Sequence, residues 1–292
     1  MLPALALTFN ALVWGTSWWP FRELQAQGLH PLWATVFVYL LAVIVIAVLR
    51  PRAFAQVLRA PALWLLVFAS GATNAAFNWA VVIGDVVRVV LLFYLMPLWA
   101  VLLARLLLNE ALTRAAGLRV AIALSGAAIV LWPEGRSGWD AVPLPRTLPD
   151  WLGIAGGFSF ALNNVMLRRE AQRPEEGRAL AMFVGGVLVA GTLALTLAAQ
   201  SRMPWPPAIA PSWAGLASAL AAVFLLSNWA LQFGAARLPA NVTSVVMLAE
   251  VVFASLSAVA WGGAQWSASL VMGGALIVSA AVLAAAGKPA AH

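Results

Sequence analysis

Long apolar runs alternate along the chain with short breaks rich in Pro, Gly and Arg. The runs predict ten helices, near 2–20, 32–49, 61–84, 86–108, 115–132, 150–169, 179–199, 211–234, 239–262 and 267–286. Each approaches the roughly 20 apolar residues that a membrane span requires. The weakest boundary falls between the third and fourth, where only Gly84 and Asp85 interrupt the run. The first run, Leu2 to Pro20, has no basic residue before it and no small-residue cleavage site, so it reads as a retained helix rather than a signal peptide.

Composition turns this pattern into a class. The 292 residues are 63% hydrophobic and 9% charged, against about 25% charged in soluble domains. Soluble, disordered and fibrous classes are excluded, and a polytopic, all-α integral membrane protein is expected. Ten spans would use roughly 200 residues, leaving no loop able to hold a soluble domain. The net charge of +7 does not point to nucleic acid, because basic residues beside membranes follow topology. Cysteine is absent, which excludes disulfides, thiol catalysis and thiolate metal sites. His30 and His292 are too few and too separated for a buried imidazole cluster. No metal and no cofactor are expected.

The basic residues orient the spans. Alternating sides across ten helices puts Arg22, Arg88, Arg136, Arg146 and Arg202 on one side and the other 12 of the 17 on the side of the N-terminus. The positive-inside rule then places both termini in the cytoplasm of a cell with the chain in its cytoplasmic (inner) membrane. Ten of the 15 tryptophans, Trp33, Trp205 and Trp213 among them, fall near the outer ends and read as an interfacial belt.

The chain also repeats. Asn-Trp-Ala occurs at 78–80 and at 228–230, each followed by a glycine, Gly84 and Gly234. Leu95–Trp99 aligns with Ala249–Phe253, and Trp14-Gly15 aligns more weakly with Phe160-Ala161. The expected organisation is a first five-helix repeat over 1–132, an extracytoplasmic linker over 133–149, a second five-helix repeat over 150–286 and a cytoplasmic tail over 287–292. Five is odd, so the second copy inserts upside down, giving two inverted repeats with a site between them near the midplane.

Ten helices in this arrangement, with Trp14-Gly15-Thr16-Ser17, Leu95-Met96-Pro97 and Asn109-Glu110-Ala111-Leu112-Thr113, resemble the drug/metabolite transporter superfamily in its EamA-type branch. Within it the chain looks most like the YddG-type exporters of aromatic amino acids. The resemblance implies a basket of ten helices around a central, largely hydrophobic cavity, with efflux by alternating access. The second half departs from the pattern, with Val251 in place of a frequent proline and Gly263-Ala264 in place of Gly-Glu.

Candidate pathway residues are the polar and aromatic groups inside spans. Glu250 is the one carboxylate deep in a predicted helix, where a charge costs about 2.5–3.5 kcal/mol. It reads either as a cavity acid for a substrate ammonium or a proton, or as a neutral carboxyl bonded across helices. Asn74 and Asn78, like Asn228 and Gln232, are spaced i, i+4 on one face. With Asn163 and Asn164 they read either as pathway lining or as interhelical hydrogen bonds of about 0.6 kcal/mol each. Trp14, Trp79, Trp99, Trp229 and Tyr94 read either as walls for an apolar substrate or as packing and lipid-facing rings. Pro97 favours a kink and a possible hinge, confined to one half because its repeat mate is Val251. Asp85 and Arg88 read as a local pair, Gly153 and Gly157 as close helix packing, and the Arg168–Arg178 stretch as a solvated loop.

The expected function is a secondary transporter exporting amino acids, aromatic ones first, and related small metabolites; its partners are the small-molecule substrate and the lipid bilayer, and its unit is the monomer. Other metabolites or drugs are the alternative cargo. An intramembrane enzyme lacks HExxH, paired aspartates, cysteine and a serine–lysine base, since Lys288 is the sole lysine. A channel lacks rings of charge or filter loops. No Gly-rich loop ends in Gly-Lys-Ser/Thr, so direct ATP use is not expected. Coupling stays open between proton exchange through Glu250 and uniport.

Overall fold

The computed structural model describes residues 1–84, 86–111, 113–130, 132, 145–261 and 266–286. The expected Asp85–Arg88 pair, most of the 133–149 linker, Gly263-Ala264 and the 287–292 tail lie outside the described residues. The described chain is helical throughout, in the order α1 (Leu2–Thr16), α2 (Trp18–Ala26), α3 (Pro31–Leu49), α4 (Arg52–Arg59), α5 (Pro61–Ile83), α6 (Val86–Phe93), α7 (Met96–Leu108), α8 (Arg114–Val130), α9 (Leu148–Arg169), α10 (Glu175–Ala199), α11 (Pro211–Ala235), α12 (Ala240–Met247), α13 (Ala249–Trp261) and α14 (Ala268–Ala286).

Ten predicted stretches thus become fourteen helices. Three of them, the first, fourth and ninth, are each divided in two, at Ser17, at Tyr94–Leu95 and at Leu248. Helix α4 is additional and falls where a loop was expected. α3, α10, α11 and the α12–α13 run are each long and apolar enough to cross a membrane, and α4 with α5 make a fifth candidate bent by 99°.

Proline at the first turn starts α3, α5, α9 and α11, where its fixed φ suits the helix and its missing N–H is not needed. The core is made by close crossings. α5 packs on α9 and α10, and α11 packs on α1 and α3. α9 lies against α6 and α7, and α1 against α12 and α13, while α8 pairs with α14. At the α5–α10 crossing Gly71 and Gly185 face each other so closely that a Cβ on either would strike the other helix's backbone. Gly153 and Gly157 do the same for α9 against the backbone of Val89 and Phe93, as their spacing predicts.

Two expectations about polar and aromatic residues are corrected here. Arg178 is not solvated: it is buried at the start of α10, and its Nη1 donates to the Leu167 carbonyl at 3.3 Å. Trp33 and Trp213 are buried as well rather than belted at the surface, donating to the Pro204 and Ala208 carbonyls. In both cases the side chain satisfies a carbonyl freed at the end of a helix or in a loop, which outweighs exposure to water or lipid.

Candidate substrate cavity

A central cavity opens between the two halves of the chain. α1, α3, α5 and α6 contribute from the first half, and α9, α10, α11 and α13 from the second. Its walls are two aromatic groups. Trp14 stacks on Phe224 with centroids 4.7 Å apart, and Tyr39 meets Phe183 edge-on at 5.2 Å. On the other side Phe77 and Phe93 stand 4.9 Å apart, with Phe160 5.9 Å from Phe93. Rings give a wide apolar surface at little conformational cost, the usual lining of a small-molecule site.

Polar groups sit between these walls. Asn74 donates to the Ser70 carbonyl at 2.9 Å and accepts from the Tyr39 hydroxyl at 3.1 Å. Asn10 donates to the carbonyl and hydroxyl oxygens of Ser227, which leaves its Oδ1 buried without a partner. Asn228 donates to Met182 Sδ at 3.2 Å and lies 2.7 Å from the amide of Gln232. Asn163 faces the cavity with both amide atoms unpartnered. An amide that is 1% exposed and makes no hydrogen bond is costly to keep, about 1–3 kcal/mol per unmet group.

Glu250 is the one charged residue among the described lining residues. It stands in the first turn of α13, just after the Leu248 break, and pairs with the Tyr94 phenol. Tyr94 itself lies in the break between α6 and α7, so the two interrupted helices meet through this pair. Gly15 of α1 makes room for it, because a Cβ there would strike the Glu250 carbonyl and Phe253.

The cavity gathers Trp14, Asn74, Asn163, Asn228 and Glu250 from the predicted set, with Tyr94 behind Glu250. The others are elsewhere. Asn78 turns aside and donates to Thr35 Oγ1 at 2.8 Å. Gln232 and Asn164 are buried behind the lining, between helices. Trp79 borders a lateral groove between α5 and α10, and Trp99 packs edge-on to Phe158 at 5.7 Å. Trp229 is 47% exposed on the outer surface. A four-residue step turns 40° past one full circuit of a helix, so each i, i+4 pair divides, one amide entering the cavity and the other a helix contact. Pro97 lies in the first turn of α7, just beyond the break rather than at a kink in a continuous helix. The Leu248 break has no proline, so helices are interrupted in both halves although proline stands at the break in only one.

Several lining residues were not predicted: Asn10, Tyr39, Phe77, Phe93, Phe160, Phe183 and Phe224. Asn10 carried a readable signal, an amide inside an apolar run. The phenylalanines carried none, since lipid-facing positions hold the same residue type.

Comparison with known proteins agrees with this architecture. A crystal structure of another protein superposes with a TM-score of 0.76 over 97% of this chain and 96% of the other, at 22% identity, so the two share a fold. No curated protein sequence matches the chain. The first 132 residues match the EamA-like transporter family, which belongs to the drug/metabolite transporter superfamily.

Proposed function

We propose that the protein is a secondary transporter of that superfamily, exporting small metabolites with an apolar or aromatic body, aromatic amino acids among them, by alternating access between two inverted five-helix repeats. Ten spans follow if each interrupted pair counts as one and α4 lies outside the count. The observation that carries the reading is a cavity lined from both halves, with aromatic walls, unpartnered amides and one carboxylate. The pairing of packing partners supports the repeat: exchanging equivalent helices turns α5–α10 into α11–α3, and α9–α6 into α1–α12. In this reading both termini lie in the cytoplasm and the chain sits in the inner membrane, and the monomer is the unit, which a cavity built within one chain supports.

A second reading of the cargo rests on charge. Among the described lining residues Glu250 has no cationic counterpart, so the cavity offers a counter-ion for an ammonium and none for a carboxylate. Aromatic amines therefore fit it better than zwitterionic amino acids. Purified protein in liposomes separates the readings. Saturable flux of tryptophan or phenylalanine, with counterflow by unlabelled substrate, supports the amino-acid reading. Saturable flux of tryptamine or phenethylamine alone supports the amine reading, and Glu250→Gln abolishes it. Flux proportional to concentration without counterflow for either class overturns the transporter. Acidifying one side reads out coupling, as uphill accumulation excludes uniport.

A further inference from the structure

Helix α4 has no part in the cavity, yet its residues are sharply sorted. Ala53 and Val57 are buried against the bundle. Phe54 and Leu58 form a second face, 40% and 67% exposed. Arg52, Gln56 and Arg59 form the third. With α5 crossing the bilayer, a bend of 99° lays α4 along the membrane surface. A short helix lying flat, with apolar side chains outward on one face and arginines on the next, is the pattern of an interfacial helix.

The arginine face closes a groove with Leu63, Arg173 and Pro174, so α4 of the first half meets the α9–α10 connection of the second across it. Three guanidinium groups border the groove. Arg173 is held by Glu170, and Glu176 is engaged by the Gln56 amide at 3.2 Å. The side chains of Arg52 and Arg59 have no acid or carbonyl partner among the described residues, so the groove keeps a surplus of positive charge beside a lipid-facing Phe and Leu. Arginines at the membrane surface attract anionic headgroups, and their planar forks suit phosphate oxygens.

We propose that this groove binds an anionic phospholipid, with its phosphate on Arg52 and Arg59 and its acyl chains along Phe54 and Leu58. The bound lipid fixes α4 at the membrane surface beside the α9–α10 connection. The inference rests on α5 crossing the bilayer and not on the transport reading or its cargo.

The test uses the full-length protein purified in a neutral detergent and titrated with phosphatidylglycerol, with melting followed by intrinsic tryptophan fluorescence and bound lipid counted by native mass spectrometry. Phosphatidylglycerol is expected to bind saturably and raise the melting temperature, whereas phosphatidylcholine and water-soluble glycerol phosphate do neither. The double variant Arg52→Gln/Arg59→Gln is expected to weaken binding about 30-fold, from about 1 kcal/mol per arginine near the headgroups and tenfold per 1.4 kcal/mol. Both side chains are exposed, so the fold tolerates the change; Arg22→Gln, exposed at the other end of the bundle, serves as the control and binds as wild type. Equal binding of phosphatidylcholine, equal stabilisation by glycerol phosphate, or unchanged affinity in the double variant would each overturn the proposal.

Discussion

Asn163 and Asn164 are adjacent, both buried, and both without a hydrogen-bond partner on either amide atom. Only Asn163 faces the cavity. Leucine has the same branched outline, so Asn→Leu removes the unmet polar groups with little change of shape. Leaving a buried group unpaired costs about 1–3 kcal/mol, and its removal returns about that much. At about 2 °C per kcal/mol for a chain of this size, the melting temperature is expected to rise by about 2–6 °C. The gain is expected to be larger for Asn164→Leu, because Asn163 has access to cavity water or cargo. Export separates the two: Asn164→Leu transports as wild type, while Asn163→Leu is more stable and loses most of its flux. The assays are tryptophan-fluorescence melting in detergent and counterflow in liposomes. If Asn163→Leu transports normally, the amide does not serve the cargo; if both variants melt lower than wild type, the absence of partners is wrong.

Other substitutions probe the packing and the walls. Trp14→Ala, which removes the ring stacked on Phe224, is expected to lower affinity for aromatic cargo at least tenfold, whereas Trp229→Ala, on the exposed outer face, leaves flux unchanged in the same counterflow assay. Gly185→Val drives a side chain into the Val67 carbonyl and Gly71, costs at least about 1–3 kcal/mol, and is expected to reduce the folded fraction on size-exclusion chromatography. His30 caps α3 by accepting from the Leu32 N–H, and its burial holds its pKa below the ordinary 6.5. The folded state therefore resists protonation, so stability is complete above the ordinary value and is lost as pH falls below it. His30→Asn keeps a capping group and is expected to flatten that fall, read as melting temperature between pH 5 and 7.5.

The sequence carried the helices and the existence of a polar, aromatic interior, but not which way each side chain points. Asn-Trp-Ala appears in both halves, yet Asn78, Trp79 and Trp229 all lie off the cavity, and of the two copies only Asn228 reaches it. A repeated string marks equivalent positions along a helix, whereas the face that turns inward is set by tilt and by which glycines let neighbours approach. Glu250 was legible because charge inside an apolar run has few explanations. The interruption at Leu248 was not legible, since no proline or glycine lies near it, whereas Gly15 and Pro20 flank the one at Ser17. Both interruptions arise where packed helices and a buried polar pair outweigh a few intrahelical hydrogen bonds.

Those interruptions bear on how the chain crosses a membrane. Residues 240–261 form a stretch of 22 residues with mean hydropathy 2.0, long and apolar enough to cross a membrane despite Glu250. Helices of 8 and 13 residues are each too short to enter a bilayer alone. The ninth stretch is therefore long enough to cross only as one unit, and its interruption at Leu248 lies where α1, α7 and α14 pack against α12.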